Sequence, residues 1–264
     1  MYSFELHQPK SLQEAITLLG KPDSKPLAGG QSLIAAMKLR LASSENLVDL
    51  GGIPELRGIR REGDTLVIGA TTRHAEVADS KEVQREIPAL SLLAGGIGDR
   101  QVRNMGTIGG SIANNDPAAC YPAAALGLGA TIHTNTRKIA ADDFFTGMFE
   151  TALADDEIIT AVSFPIPQRA GYVKFRNAAS RFATAGVFIS QGAGGVRVAV
   201  TGCGPCVFRA TDMEKALGAN FAPDAAKSVR VSPQGLNSDL HAGAEYRAHL
   251  IPILAGRAVA QALE

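Results

Sequence analysis

Two double-glycine segments constrain this chain more than any other feature: Leu27-Ala28-Gly29-Gly30-Gln31-Ser32, and Gly106-Thr107-Ile108-Gly109-Gly110-Ser111-Ile112-Ala113-Asn114. Glycine has no Cβ and can adopt φ > 0, so such segments let main-chain N–H groups turn inward and approach an anion closely. Each carries a small hydroxyl side chain, Ser32 in the first and Thr107 and Ser111 in the second. Neither contains Lys or Arg, so neutral main-chain donors would have to hold the charge of a phosphate. Two such loops in one chain point to one ligand with two phosphates.

The familiar phosphate fingerprints are missing. Neither segment reads Gly-x-Gly-x-x-Gly between a strand and a helix with an acidic residue further on, and neither carries Gly-Lys-Ser/Thr. At 264 residues the chain exceeds one comfortable core, so two or three subdomains are expected. Its 26 basic and 26 acidic residues balance, which excludes a general pull toward nucleic acid or anionic membrane. No apolar run is long enough to span a membrane, and Met1-Tyr2-Ser3-Phe4-Glu5 does not begin a secretion signal; a cytoplasmic location is expected.

Candidate chemistry outside the glycine segments is sparse. His7, His74, His133, His241 and His249 are scattered with no acid–base constellation, so no catalytic residue is assigned. No metal-ligand spacing stands out. Cys203-Gly204-Pro205-Cys206 has the spacing of a thioredoxin-like pair, a chemistry that needs a helix starting at the first cysteine. The next helix-start signal is the capping box at Thr211-Asp212-Met213-Glu214, so the pair reads as a turn.

Local patterns predict an α+β chain. Ser11 to Glu14 is a capping box opening a short amphipathic helix that ends at Gly20. Strands are expected near 26–28, 46–50, 65–69, 130–133, 158–164, 172–176, 186–190 and 196–201. Helices are expected near 72–77 and 88–94, from Thr211, and from about Ala242 to the end. Asp116-Pro117 reads as the N-cap and first residue of the alanine-rich helix reaching Leu126. Pro165-Ile166-Pro167-Gln168 marks a boundary.

The strings LAGGQSLIAAMKLRLA from Leu27 and VRNMGTIGGSIANNDPAACYPAAALGLGA from Val102 closely resemble the FAD-binding medium subunit of molybdenum hydroxylases, the carbon monoxide dehydrogenase and xanthine dehydrogenase family. Tyr172-Val173-Lys174-Phe175, Phe182-Ala183-Thr184-Ala185 and Thr201-Gly202-Cys203-Gly204-Pro205 fit the same pattern, in order. The resemblance implies a two-part α/β FAD-binding domain of the PCMH type, residues 1–55 and 56–168, followed by a C-terminal α+β domain over 169–264. It implies FAD as cofactor, with Leu27, Ala28, Gly29, Gly30, Gln31, Ser32, Leu33 and Ile34, and Thr107, Ile108, Gly109, Gly110 and Ser111, cradling its diphosphate. Ile97, Ile159, Lys174 and Phe182 match positions near the flavin, Phe182 as the side chain that covers the ring.

Three positions depart from the family pattern. Ser111 stands where many relatives have Asn, and Cys120 where they have an Asp that bonds the ribityl or flavin region; thiol is a poor acceptor. Asn114, Asn115 or Asp116 is expected to compensate. Arg181 stands where relatives often carry Asp. The implied role is the last step of a relay: a molybdenum-cofactor large subunit oxidises substrate, [2Fe–2S] clusters of a small subunit carry the electrons, and this chain delivers them to an external acceptor. The alternatives are a stand-alone FAD oxidoreductase of the vanillyl-alcohol oxidase-like fold, and a scaffold that has lost its flavin.

Overall fold

The computed structural model describes residues 1–264. Its first unit is a parallel sheet. Strand β1 (Glu5–His7) leads through helix α1 (Leu12–Leu19) to β2 (Ser24–Leu27), and α2 (Leu33–Lys38) leads to β3 (Asn46–Asp49). Both β1 and β2 pair with β3 in parallel, which requires crossovers, and the two short helices supply them. Helix α1 starts as its sequence predicts: the Ser11 hydroxyl accepts from the Glu14 N–H at 3.2 Å, while Ala15 and Leu19 turn inward.

The second unit is an antiparallel sheet in the order β4 (Ile59–Glu62), β5 (Thr65–Gly69), β10, β6, β7. Between β5 and β6 (Thr131–Thr134) the chain forms six helices: α3 (His74–Asp79), α4 (Lys81–Glu86), α5 (Pro88–Gly95), α6 (Arg100–Met105), α7 (Ile108–Asn114) and α8 (Tyr121–Leu128). Strand β7 (Lys138–Ala140), helix α9 (Ala141–Phe144), the hairpin β8 (Phe145–Gly147) and β9 (Glu150–Thr151), and β10 (Ile159–Pro165) follow.

A four-stranded antiparallel sheet makes the third unit: β11 (Arg169–Arg176), β12 (Ala183–Gly192), β13 (Gly195–Thr201) and β14 (Phe208–Arg209). It is backed by α10 (Thr211–Ala219), α11 (Pro223–Lys227) and α12 (Ala244–Leu263). Helix α8 joins this sheet to the second unit. All eight of its residues are buried, and it packs on β10 from one side and on β12 and β13 from the other. A helix apolar all round has no solvent face, which is why the alanine-rich run carries no amphipathic period.

One predicted helix start and one predicted cap are corrected, while α10 begins at Thr211 as expected. Asp116 does not cap α8. Its carboxylate accepts from the Ala118 N–H at 2.8 Å and closes a turn, and the helix begins at Tyr121 with Pro122 in its first turn. Thr211 does not form a capping box, because the Glu214 carboxylate is taken by Arg209 and the Val198 N–H.

Candidate cofactor site

The first glycine segment leaves the C-terminal end of β2 and turns through Ala28–Ser32 into α2. Gly30 has φ +68°, the left-handed region that favours glycine. The carbonyls of Gly30 and Ser32 accept from Ile34 and Ala36 as the helix begins. The N–H groups of Gly29, Gly30, Gln31 and Ser32 are donated to no protein acceptor, and the Ser32 hydroxyl caps nothing. Four consecutive free donors on exposed or half-buried backbone fit an anion.

The second segment differs from its sequence-based expectation. It is the opening turn of α7, and most of its donors are spent. Ile108 N–H donates to the Thr72 carbonyl at 3.1 Å, Gly109 N–H to Ala70 at 2.9 Å, and Gly110 N–H to the Thr107 hydroxyl at 3.1 Å. Neither Gly109 nor Gly110 has positive φ. Gly109 is needed for proximity, since a Cβ there would lie 2.6 Å from the Ala70 Cβ and push α7 off the end of β5. Gly110 is exposed. The Thr107 oxygen accepts from Gly110, which leaves its own hydroxyl proton free to donate.

The two segments meet along a seam. A Cβ on Gly29 would sit 2.2 Å from the Met105 carbonyl oxygen and 2.6 Å from the Gly106 Cα, and Ala28 lies 3.9 Å from where a Gly110 side chain would begin. Behind the seam, His74 N–H holds the Gly106 carbonyl at 2.9 Å while its ring packs under Gly106 and lies tilted by 44° against Tyr121, ring centres 5.3 Å apart. Burial, assisted by the Arg103 charge, lowers the His74 pKa to about 4. Its Nδ1 and the Tyr121 hydroxyl are buried without partners. Sequence reasoning missed this support, because the lone histidine shares no motif with Gly106.

A second cluster gathers where α5 turns into α6 beside β11. Lys174 Nζ donates to the Gly96 carbonyl at 2.9 Å, the Arg181 carbonyl at 3.1 Å and Cys120 Sγ at 3.3 Å. Arg103 donates to the carbonyls of Ile97 and Gly98 at 3.0 and 3.2 Å, a contribution the sequence did not suggest. Ile97 is half-buried at this turn. Phe182 is 48% exposed at the end of the β11–β12 connection, next to Arg181 at φ +63°. The structure therefore brings Ile97, Cys120 and Lys174 together. Ile159 is a core residue of β10 at 5% exposure, in the same packed cluster as Cys120.

Of the three residues expected to compensate for Cys120, Asn115 donates its amide NH2 to the Gly147 and Glu150 carbonyls while its Oδ1 is buried without a partner. Asp116 has one oxygen on Ala118, and Asn114 has no protein partner. The Cys203–Cys206 turn precedes β14 rather than a helix; burial pushes the Cys203 thiol up to about 12 and raises that of Cys206. The histidines stay apart, with His7 bonded to Asn46 and His133 to Ser163.

Residues 2–167 match the family model described as the FAD binding domain in molybdopterin dehydrogenase. The chain belongs to this family. It is 37% identical to the carbon monoxide dehydrogenase medium chain of Hydrogenophaga pseudoflava, over 98% of this chain and 96% of that one. It is 35% identical to the nicotine 6-hydroxylase medium subunit of Paenarthrobacter nicotinovorans, over 96% and 95%. A solved structure of the Hydrogenophaga pseudoflava carbon monoxide dehydrogenase superposes with a TM-score of 0.87 at 36% identity, covering 99% of this chain and 98% of that one. The cofactor of this family member is FAD, and the chain is an FAD-dependent oxidoreductase subunit of the molybdenum hydroxylase type. The free donors of Gly29–Ser32 and the free Thr107 proton fit a diphosphate. No helix is long and apolar enough to cross a membrane.

Proposed function

We propose that this medium subunit accepts electrons from [2Fe–2S] clusters of a small partner subunit, fed by a molybdenum-cofactor large subunit, and delivers them to an external acceptor in the cytoplasm. FAD, when bound, supplies the ability to take electrons singly and release them in pairs. The chain's own residues bind and orient it. Gly29, Gly30, Gln31 and Ser32 offer main-chain N–H groups to the diphosphate, and Thr107 adds a hydroxyl. Leu27, Ala28, Leu33, Ile34, Ile108, Gly109, Gly110 and Ser111 shape the walls of that cleft. The Lys174 ammonium favours negative charge on the flavin, with Ile97 and Phe182 as apolar neighbours. Cys120 cannot replace the acceptor that relatives have there, and Asn114, Asn115 or the second oxygen of Asp116 takes that role.

The single observation that carries this reading is the run of four unspent donors at the seam between two glycine segments. The proposed division at 1–55, 56–168 and 169–264 is supported by the change from parallel to antiparallel sheet after β3 and by the start of a new sheet at β11. Expression with its genomic neighbours tests the relay. The chain should purify yellow, with one FAD released per chain on denaturation, together with a molybdenum subunit and a [2Fe–2S] subunit. Colourless protein that cannot be reconstituted favours the scaffold; yellow protein that oxidises a substrate without partners favours the stand-alone oxidoreductase.

A further inference from the structure

Cys120 is unlike the other two cysteines in its surroundings. It is 5% exposed, and its sulfur accepts a hydrogen bond from the Lys174 ammonium at 3.3 Å. That ammonium is itself fixed by the Gly96 and Arg181 carbonyls, so the positive charge cannot swing away from the sulfur. Beside Cys120 lies the Tyr172 hydroxyl, on a side chain 7% exposed, buried with no oxygen or nitrogen partner and facing only the thiol sulfur. A buried hydroxyl without a good acceptor carries an uncompensated desolvation cost until it finds one. Cys203 and Cys206 have only a carbonyl each, at 3.9 Å. Arg247 acts on Cys203, but burial outweighs it.

We infer that Cys120 is a site of peroxide oxidation, forming a sulfenic acid held between Lys174 and Tyr172. The sulfur attacks one oxygen of hydrogen peroxide. The S–O bond forms as the O–O bond breaks, and the thiol proton leaves with the departing hydroxide as water. Sulfur is oxidised by two electrons and peroxide is reduced by two. The new oxygen accepts from the ammonium of Lys174 and gives the Tyr172 hydroxyl an oxygen acceptor in place of the weakly accepting sulfur, so the product is better satisfied than the thiol. Peroxide is small enough to reach a thiol that bulkier reagents cannot. The same contacts couple the modification to the α5–α6 turn and to the β11–β12 connection, because Lys174 holds both. This inference rests on contacts within the chain and stands whether or not the electron relay does.

The test is a micromolar peroxide pulse on the flavin-loaded protein, stopped with catalase. The protein is then unfolded in the presence of dimedone, and the adducts are located by tandem mass spectrometry. Cys120 should be trapped roughly tenfold faster than Cys203 and Cys206, and Lys174→Met should erase that lead. Tyr172→Phe should shorten the survival of the sulfenic acid by roughly threefold when trapping is delayed. Cys206 leading in the wild-type protein would overturn the inference, as would a Lys174→Met protein that keeps its melting curve and still oxidises Cys120 at the original rate. Should Lys174→Met fail to fold, unchanged survival in Tyr172→Phe overturns it instead.

Discussion

The two glycine segments look interchangeable as sequence and do different work as structure. The first keeps the N–H groups of Gly29, Gly30, Gln31 and Ser32 free, with Gly30 in the left-handed region. The second gives Ile108, Gly109 and Gly110 to the Thr72 and Ala70 carbonyls and the Thr107 hydroxyl, and so anchors α7 against the end of β5. One segment presents donors; the other fixes where they are presented. A glycine pair is thus ambiguous until it is known which carbonyls come near it.

The largest effect should come from Gly29→Val. Its side chain would collide with the Met105 carbonyl and part the seam, so both FAD retention and several degrees of melting temperature should be lost. Gly110→Val separates the two roles. The residue is exposed and its φ is ordinary, but a Cβ there would begin 2.9 Å from the Thr107 hydroxyl, so the α7 cap must shift at a cost well below that of Gly29→Val, while the added bulk on the Ala28 side of the cleft excludes FAD. A melting temperature lowered less than in Gly29→Val, with an absorbance ratio showing no bound flavin, is the expected pair of readings. Stoichiometric FAD in this variant would contradict the shared cleft.

Acid should weaken the second segment through His74. Its folded pKa is lowered to about 4, so between its ordinary value and pH 4 the unfolded chain binds a proton that the folded chain refuses. That contribution is complete above about pH 6.5 and declines as pH falls toward 4, amounting to about 3 kcal/mol. Chemical denaturation across this window should reveal the slope, and His74→Phe should flatten it. A smaller change is expected from Thr107→Val, which removes the cap of α7 and one donor. It should cost about 1 kcal/mol of stability and roughly tenfold in FAD affinity by titration.

Much of the architecture was legible locally. The Ser11 capping box, the strand at 65–69 and the proline-marked end of β10 depend on neighbours a few residues away. Helix α7 was not legible, since glycines at its first turn lower helix propensity and only the Thr107 cap and the contact with Ala70 favour it. Asp116-Pro117 misled for a related reason: the alanine-rich run has a second proline, Pro122, and burial between two sheets decides which one starts the helix. The candidate site divides in the same way. Its glycines and hydroxyls stand in the sequence, whereas the meeting of Lys174 with Cys120, Gly96 and Arg181 depends on β11 packing against the α5–α6 turn.

The most direct test of the division of labour is an amide NMR titration of the chain with FAD. The resonances of Gly29, Gly30, Gln31 and Ser32 should move downfield and gain protection from exchange, as free donors acquire phosphate acceptors, while Ile108 and Gly109 hold their positions. Large downfield shifts at Ile108 and Gly109, with the first segment unmoved, would contradict it.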